Sequence, residues 1–368
     1  MKIGLLTYHK NFNYGWNLQC FALMSILKAL GHEVMLIDKR RFQPISHKRR
    51  IKELLKSLLV TCHIISKRQS YEAIQLSKGR YVNSFFSKYI LPRTKVITCK
   101  DGYLSLPKFD AFVVGSDQVW RSRLVYPIAD YFFDFIHYPA KFLSYAASFG
   151  VDFPEYSDEE KKRCGSLIER FSAISVREQS GVNLIKDVYH WKCDPVVMPD
   201  PTLLLSQEEY INIIKNHKTN LPRIELFCYI LDKTVGKDEV IKLLSDKYSL
   251  KPYVIYLNEK GCVPPVEEWL ACFEKAKFIF TDSFHGSVFS IIFRKPFLAY
   301  GNTSRGLTRI ASLLDSFGLQ DRLITNSKDL AHLSFEKLED IDSSKLEIVQ
   351  ESLKTKAIEF LSKNLQKP

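Results

Sequence analysis

Apolar runs and amphipathic stretches alternate along the chain. In the first forty residues the strand KIGLLTY is followed by the polar loop HKNFNYG and by a helix over about residues 16–30. Gly31 is expected to end this helix, and the strand EVMLID then closes at Asp38. This order predicts parallel strands joined by crossover helices.

The same alternation continues to about residue 180. FDAFVVGSD and FLSYAASFG each combine a buried strand with a glycine-containing turn, and a helix over 157–171 leads to the strand AISVRE. The carboxyl ends of parallel strands meet at one edge of a sheet. We therefore expect the polar residues that close these strands to lie close together.

A proline-rich segment over 190–205, HWKCDPVVMPDPTLLL, follows this region. Prolines restrict themselves and the residue before them, so the segment is expected to be a stiff, extended crossover between two domains. A second alternation of strands and helices begins at LFCYIL, continues through FIFTD, SVFSIIF and PFLAYG, and ends with two helices.

The predicted fold is α/β, with two Rossmann-like, doubly wound domains that face a cleft. The first domain is placed at 1–195, with a basic helical insertion near 39–68, and the second at 196–343. A C-terminal helix over 344–368 is expected to pack back on the first domain.

The composition agrees with two domains. At 368 residues the chain exceeds the size of a single hydrophobic core, and 46% of its residues are hydrophobic. The eight cysteines are single and lack metal-ligand spacing, so we expect reduced thiols and no metal site. Neither a signal peptide nor a run of 18 apolar residues is found, which predicts a cytoplasmic protein.

The positive charge is local. Of the formal net charge of +12, an excess of 9 falls in the segment 39–68, and +3 remains for the rest of the chain. Apolar residues at helical spacing over 49–65 predict a basic amphipathic helix. It is either a solvated helix with one packed face or a contact with anionic membrane or a lipid-linked acidic substrate. No nucleic-acid-reading motif accompanies it, so no nucleic-acid partner is expected.

The stretch TDSFHGS lies where a buried strand is expected to turn into a helix. Ser283 is a plausible N-cap, and His285 falls in the first turn beside backbone N–H groups that attract anions. Gly286 is expected to let an anion approach the backbone. His285 is thus a candidate general acid, and the alternative is a histidine hydrogen-bonded at a helix start for structural reasons.

Two cations are candidates for binding the same anion. Arg177, in SVREQS, follows a strand, and its guanidinium matches phosphate or carboxylate geometry; a salt bridge to Glu178 or a neighbour is the structural alternative. Lys295 opens the strand after TDSFHGS and is expected to bring a second cation near His285.

Two loops combine groups suited to sugar recognition. GSDQVW contains Asp117, Gln118 and Trp120, and NFNYG contains Asn13 and Tyr14. An Asx-type turn with a packed tryptophan is an equal alternative for the first. The sequence contains no GxGxxG, P-loop, GxSxG or HExxH motif, which weakens the corresponding nicotinamide, ATP, hydrolase and metalloprotease hypotheses.

As a set, several segments resemble the polysaccharide pyruvyl transferase family. They are NYGWNLQCFAL, FDAFVVGSDQVW, SYAASFG, ISVRE, DPTLLL, TDSFHGSVFSIIFRKPF and RIASLLDSFGLQDR. The resemblance implies a fold similar to GT-B glycosyltransferases. It also implies transfer of a pyruvyl group from phosphoenolpyruvate to two hydroxyls of a sugar, with formation of a pyruvate ketal and release of phosphate.

By the same resemblance His285 is the acid/base residue, Arg177 and Lys295 bind the donor, and Asp117 lies near the reacting centre. The acceptor is expected to be a surface polysaccharide or its lipid-linked precursor. Arg121 stands where family members often have asparagine, so the acceptor side differs from the pattern. The resemblance implies no cofactor beyond the donor.

Two other functions stay open at this point. A nucleotide-sugar glycosyltransferase would use the SFHG site to hold a diphosphate. A non-catalytic module would bind acidic glycans or lipids through the basic segment; it would tolerate His285→Ala and lose function on charge reversal of Arg49, Arg50 and Lys52.

Overall fold

The chain forms two parallel β-sheets with helices around them. In a computed structural model the residues described are 1–8, 13–40, 82–257, 263–302, 307–333 and 335–366. The first sheet has six strands and the second has five.

The strands of the first sheet lie in the order β2-β1-β3-β4-β5-β6. Their bounds are β1 Lys2–Leu6, β2 Glu33–Leu36, β3 Ala111–Gly115, β4 Lys141–Ala147, β5 Ala173–Val176 and β6 Val196–Val197. The second sheet has the order β11-β10-β9-β7-β8. Its strands are β7 Leu226–Ile230, β8 Pro252–Tyr256, β9 Phe278–Thr281, β10 Phe297–Tyr300 and β11 Leu323–Ile324.

In each sheet the first strand of the chain lies in the interior, and later strands are added on both sides of it. The strand order therefore reverses beside β1 in the first sheet and beside β7 in the second. In doubly wound folds ligands bind at such switch points, outside the carboxyl ends of the strands.

Ten α-helices are bounded within the part of the chain that the structure describes. They are α1 Tyr14–Ala29, α2 Asp158–Ile168, α3 Gln179–Asn183, α4 Gln207–Lys215, α5 Val235–Tyr248, α6 Val266–Lys275, α7 Phe284–Ile292, α8 Leu307–Phe317, α9 Phe335–Glu339 and α10 Ser343–Asn364. Residues 82–89 are also helical.

Polar caps begin several of these helices. Ser157 and Ser206 form capping boxes at α2 and α4, and the Asn13 side chain accepts hydrogen bonds from Gly15 and Trp16 at the start of α1. Gly31, with φ of +81°, follows α1 in the left-handed region that favours glycine.

The crossover between the sheets differs from the expected extended segment. Val196–Val197 pairs in parallel with β5, so the first sheet extends beyond the predicted boundary at residue 195. Pro201–Leu204 then forms a 3₁₀ turn capped by Asp200, whose side chain accepts a hydrogen bond from the Thr202 N–H. The second Asp-Pro pair starts this turn because proline suits the first helical position.

The C-terminal helix α10 joins the two halves. Its Gln350 side chain donates to the carbonyls of Leu203 and Leu205 at 3.0 and 3.1 Å, and Phe360 packs near Tyr145 of β4. Toward the second sheet, Glu347 pairs with Arg294 at 3.3 Å. The helix therefore contacts the first domain, the crossover and the second domain.

The basic segment lies mostly outside the described residues, and this includes the predicted helix over 49–65. Lys39, counted in the charge excess, is buried and pairs with Asp130 at 3.3 Å, so it is not part of a solvated basic face. In the described part of the chain we find no helix that is both long and apolar enough to cross a bilayer.

Replacing Gln350 with alanine tests the attachment of α10. The change leaves two buried carbonyl groups without their donor, and an unmade buried hydrogen bond costs about 1–3 kcal/mol. We expect a lower midpoint of urea unfolding for Gln350→Ala, while Glu351→Ala, at the next and exposed position of α10, stays near wild type. Equal midpoints for the two variants would contradict this role.

Candidate active site

One buried carboxylate lies at the centre of the candidate site. Asp200 is 1% exposed, and its Oδ2 atom accepts hydrogen bonds from Arg177 Nη1 at 2.8 Å and from Ser116 Oγ at 3.3 Å. The Nε2 atom of His285 lies 3.6 Å from the same oxygen. Asp200 therefore brings together a strand-end arginine of the first domain and the predicted histidine of the second.

The local folds explain how these groups meet. Arg177 follows β5 directly, and His285 is the second residue of α7, after β9. Asp200 caps the 3₁₀ turn of the crossover, where its Oδ1 atom accepts from the N–H and hydroxyl of Thr202 at 3.1 and 2.7 Å. Its other oxygen is thereby left for the ion pairs.

Asp200 is a strong anion despite its burial. Burial raises the pKa of this carboxyl, but the neighbouring His285, the charge of Arg177 and the hydroxyl of Thr202 together lower it well below its usual range. The carboxylate consequently stays ionised throughout the neutral pH range.

Arg177 is surrounded by carboxylates. Besides Asp200, Glu178 lies 3.6 Å from Nε and Asp117 lies 3.9 Å from Nη2. Burial lowers the pKa of the guanidinium, but these carboxylates outweigh it and raise the pKa. The geometry thus shows the structural alternative, a salt bridge to Glu178, and the role of Arg177 as a ligand for an anion stays a prediction.

The guanidinium of Arg177 keeps unused donors. Its Nε and Nη2 atoms are buried and have no hydrogen-bond partner among the residues that the structure describes. The ring of Phe284 lies 4.6 Å from the guanidinium carbon. Two unsatisfied N–H donors beside an aromatic face can still bind an anionic group that enters the site.

The imidazole of His285 packs against the start of α1. A Cβ atom built on Gly15 would collide with Nδ1 of His285, so the position requires a residue without a side chain. The N-terminal ends of α1 and α7 meet here, one from each domain. This contact explains why glycine stands at the second position of α1, in the NYG part of NFNYG.

The remaining residues of TDSFHGS have structural partners. Ser283 caps α7 as predicted, and its Oγ atom accepts from the N–H of Gly286 at 3.2 Å. A side chain on Gly286 would collide with Thr281. The expectation that Gly286 opens the backbone to an anion is therefore wrong for this conformation, because its amide is occupied.

The acid before the histidine belongs to a different buried pair. Asp282 binds Lys237 of α5 at 2.6 Å and accepts from the N–H groups of Leu231 and Asp232 at 2.6 and 3.2 Å. These bonds hold the loop after β7 against the loop after β9. Asp282 thus shapes the edge of the second sheet.

The position of Lys295 contradicts its predicted place near His285. Lys295 follows the end of α7, where its N–H donates to the carbonyl of Ser290, and the last residue of this helix is about 10 Å along the axis from His285. Burial lowers the pKa of this lysine, and Glu274 partly offsets that effect. The residue precedes β10, at the edge of the sheet opposite the carboxyl ends.

Arg309 is a cation that the sequence reasoning missed as a site residue. It lies on α8, its guanidinium carbon is 5.9 Å from the centre of the Phe284 ring, and its buried Nε atom has no hydrogen-bond partner in the described part of the chain. Burial and the charge of Arg177 lower its pKa to about 10. The sequence did contain a clue to this residue, because Arg309 is the first residue of RIASLLDSFGLQDR, one of the segments that resemble the family.

A cavity of about 200 Å³ adjoins the cluster. Arg177, Glu178, Asp200 and Arg309 line its polar side, and the crossover, α8 and α10 supply apolar walls. The two arginines contact the same ring, Phe284, which also borders the cavity. This side of the site has the charges to receive a small anion.

Two predicted acceptor contacts are core residues. Trp120 is fully buried and stacks on Phe132 at 5.0 Å, so its ring has no face for a sugar, as in the packed-tryptophan alternative. Tyr14 is fully buried too, stacks on Trp269 at 4.8 Å and donates its hydroxyl to the carbonyl of Pro264 at 2.6 Å. Tyr14 therefore packs in the interface between the domains.

The other predicted acceptor residues have local partners. Arg121 binds Glu155 through two nitrogens at 3.3 Å and donates to the amide oxygen of Gln118 at 3.0 Å. Asn13 caps α1 beside the Gly15–His285 contact. Asp117, with φ of +65°, lies 3.9 Å from Nη2 of Arg177 and so belongs to the cluster; its place near a reacting centre stays a prediction.

Among the described residues, no group of three or more His, Cys, Asp or Glu side chains is suited to hold a metal ion.

Two Rossmann-like domains with a charged cluster at their facing strand ends define a two-domain fold of the GT-B type. Solved structures share it. Staphylococcus aureus MnaA, determined with UDP, has 14% identity and a TM-score of 0.52, over 100% of this chain and 99% of that one. UDP-GlcNAc 2-epimerase from Methanocaldococcus jannaschii has 14% identity and a TM-score of 0.52, over 96% and 99%. At this identity the likeness shows the fold alone.

A family model for polysaccharide pyruvyl transferase matches residues 13–304, most of the chain. The chain therefore belongs to the polysaccharide pyruvyl transferase family and is a transferase. A comparison with curated proteins gives no significant match.

Gly15→Ala tests the contact between the two helix starts. Alanine favours a helix over glycine by up to about 1 kcal/mol, but here its methyl group would displace the imidazole, and overpacking costs about 1–3 kcal/mol. We expect a lower unfolding midpoint. Gly236→Ala is the matched control at the second position of α5, where a Cβ meets only the Tyr300 hydroxyl, at 3.4 Å. A midpoint for Gly15→Ala equal to that of the control would contradict the packing described.

Proposed function

We propose that the protein transfers a pyruvyl group from phosphoenolpyruvate to two hydroxyls of a sugar, forming a pyruvate ketal and releasing phosphate. The observation that carries the proposal is the shared use of Asp200 Oδ2 by Arg177 and His285, 2.8 and 3.6 Å away. This arrangement sets an anion-binding group and a proton-carrying group side by side at the meeting of the two domains.

The donor suits the charges of the site. Phosphoenolpyruvate carries a carboxylate and a phosphate, and the guanidinium groups of Arg177 and Arg309 both have buried N–H donors that lack partners in the described part of the chain. Arginine binds such groups through parallel hydrogen bonds. In this proposal Arg309 takes the place that the sequence analysis gave to Lys295.

The reaction then needs one proton donor. His285 protonates the methylene carbon of the donor, which becomes a methyl group and leaves an oxocarbenium-like carbon. A sugar hydroxyl attacks this carbon, and its proton passes to His285. A second hydroxyl displaces the phosphate, which leaves with that hydroxyl's proton, so the ketal closes without an added cofactor.

The acceptor is proposed to be a surface polysaccharide or its lipid-linked precursor. Gln118 and Arg121 are partly exposed and remain candidates for acceptor contacts, whereas Trp120 and Tyr14 do not, because their rings are buried. Asp117 is proposed to face the reacting centre through its contact with Arg177.

Donor binding is tested by Arg177→Gln. A hydrogen bond to a charged group contributes about 1.5–3 kcal/mol, so we expect the affinity for phosphoenolpyruvate to fall about 10- to 100-fold. Titration calorimetry measures the affinity, and phosphate release in the presence of an acceptor oligosaccharide measures turnover. Arg163→Gln, an exposed arginine paired with Asp134, is the control and should bind as wild type does.

A nucleotide sugar is the competing donor, because the two similar solved structures were determined with UDP or with UDP-GlcNAc and UDP. The same calorimetry with UDP-GlcNAc separates the hypotheses. Binding of UDP-GlcNAc with UDP release, and no phosphate release from phosphoenolpyruvate, would replace the proposal with a glycosyltransferase.

We also propose that the basic segment over 49–65 associates with the anionic inner face of the membrane, where a lipid-linked acceptor would be presented. The support is its sequence, since this segment lies outside the described residues. Its positive charge attracts anionic lipid headgroups, and its apolar stripe suits the interface.

Vesicle co-sedimentation tests this association. We expect binding to vesicles of phosphatidylglycerol and phosphatidylcholine that weakens as salt is raised, because salt screens charge attraction. The triple change Arg49→Glu, Arg50→Glu and Lys52→Glu should abolish it while phosphate release with a soluble acceptor persists. Binding that does not respond to salt or to the triple change would contradict the role.

A further inference from the structure

We propose that Asp200 is a positioning residue that holds His285 through Nε2, so that Nδ1, at the start of α1, is the nitrogen that exchanges the proton with the substrates. This inference rests on the proposed function, because it assigns the two nitrogens of the histidine used there. Asp200 itself touches no reacting atom in this scheme.

The geometry at Nε2 supports the proposal that Asp200 holds His285 through this atom. This atom is buried, faces Asp200 Oδ2 at 3.6 Å and has no hydrogen-bond partner within the described residues. Catalytic hydrogen bonds are often long before substrate binds and shorten in the complex. A movement of about half an ångström by either side chain would make the Nε2–H···Oδ2 bond.

The carboxylate is held in place for this task. The Thr202 N–H and hydroxyl fix its Oδ1 atom, and Ser116 and Arg177 donate to Oδ2. With four donors on a side chain that is 1% exposed, Asp200 has little freedom to turn away from the imidazole. A fixed carboxylate sets the ring orientation and the tautomer of a histidine.

The surroundings of Nδ1 support the proposal that this nitrogen exchanges the proton. This nitrogen lies against Gly15, where the missing side chain leaves the space that the imidazole uses. The side chain of Asn13 accepts hydrogen bonds from the N–H groups of Gly15 and Trp16, so these amides already have an acceptor. Nδ1 therefore lies where the two domains face each other.

Several charged and polar groups surround the ring. Asp200 faces it from the crossover, and Arg177, on the same oxygen, has its own charge offset by Asp117 and Glu178. From its own strand end, Asp282 is engaged by Lys237. From α1 the facing residues are the uncharged Asn13 and Gly15, whose helix start weakly opposes a cation.

The proton count is consistent with this assignment. In the imidazolium form the Nδ1–H bond breaks as the proton joins the methylene carbon of the donor, and the Nε2–H stays on the side of Asp200. The neutral ring then has its lone pair on Nδ1, which accepts the proton of the attacking hydroxyl. The histidine returns to its starting state with no other proton carrier.

Nitrogen-15 NMR of histidine-labelled protein tests the tautomer without requiring turnover. The ring signals of His285 are assigned by their loss in His285→Gln. We expect the neutral wild-type ring to carry its proton on Nε2, and Asp200→Asn to lose that preference. A wild-type ring protonated on Nδ1 would overturn the proposal.

The pH dependence of kcat tests whether Asp200 acts on the protonation of His285 during turnover. In Asp200→Asn the ring loses the anion that favours its protonated form, so the pH above which kcat falls should move to lower values. We expect kcat to drop about 100-fold or more, because removal of an orienting carboxylate has large effects. Thr202→Val, which removes a donor to the opposite oxygen, should keep the wild-type pH profile.

The outcomes separate this inference from the proposed function. A wild-type protein that releases no phosphate from phosphoenolpyruvate would contradict the proposed function. The NMR result would still decide which nitrogen of His285 Asp200 holds. An Asp200→Asn enzyme with lowered kcat and an unchanged pH profile would overturn the positioning role. If that variant does not fold, the tautomer of the wild-type protein decides the question.

Discussion

The contacts of Asp200 are the interaction on which the site depends. A buried carboxylate is costly unless it is compensated by charges and hydrogen bonds, and here Arg177 of the first domain supplies the charge. Thr202 and Ser116 donate hydrogen bonds, and His285 of the second domain lies 3.6 Å away. The crossover between the domains supplies the carboxylate itself. The electrostatic requirement of one side chain thus fixes the relative position of two strand ends that are more than 100 residues apart in sequence.

Close apolar packing lets these charges meet. Tyr14 stacks on Trp269 across the domain interface, and the glycine after it lets α1 approach the imidazole of His285. The C-terminal helix α10 adds hydrogen bonds from Gln350 to the crossover just beyond Asp200. Because interiors are tightly packed, a shift of any of these elements would move the charged groups apart.

The shared fold and the family membership carry different information. The two solved structures share the two-domain fold over 96–100% of the chain at an identity of 14%, and this likeness shows the fold alone. The family model is what defines a transferase. Neither the fold nor the family membership describes the reaction steps. These steps are inferred from the site, where two arginines, one histidine and three carboxylates lie beside a cavity.

The sequence by itself determined the alternation of strands and helices, the α/β class, the cap at Ser283 and the strand-end positions of Arg177, Asp117 and His285. These follow from period and from local turn chemistry, which act over a few residues. Only the tertiary structure decided that Lys295 lies a helix length from His285, that Trp120 and Tyr14 are core residues, and that Asp200 and Arg309 belong to the site. Such contacts depend on how distant elements pack and on which way a side chain points across an interface, and neither is encoded in local spacing.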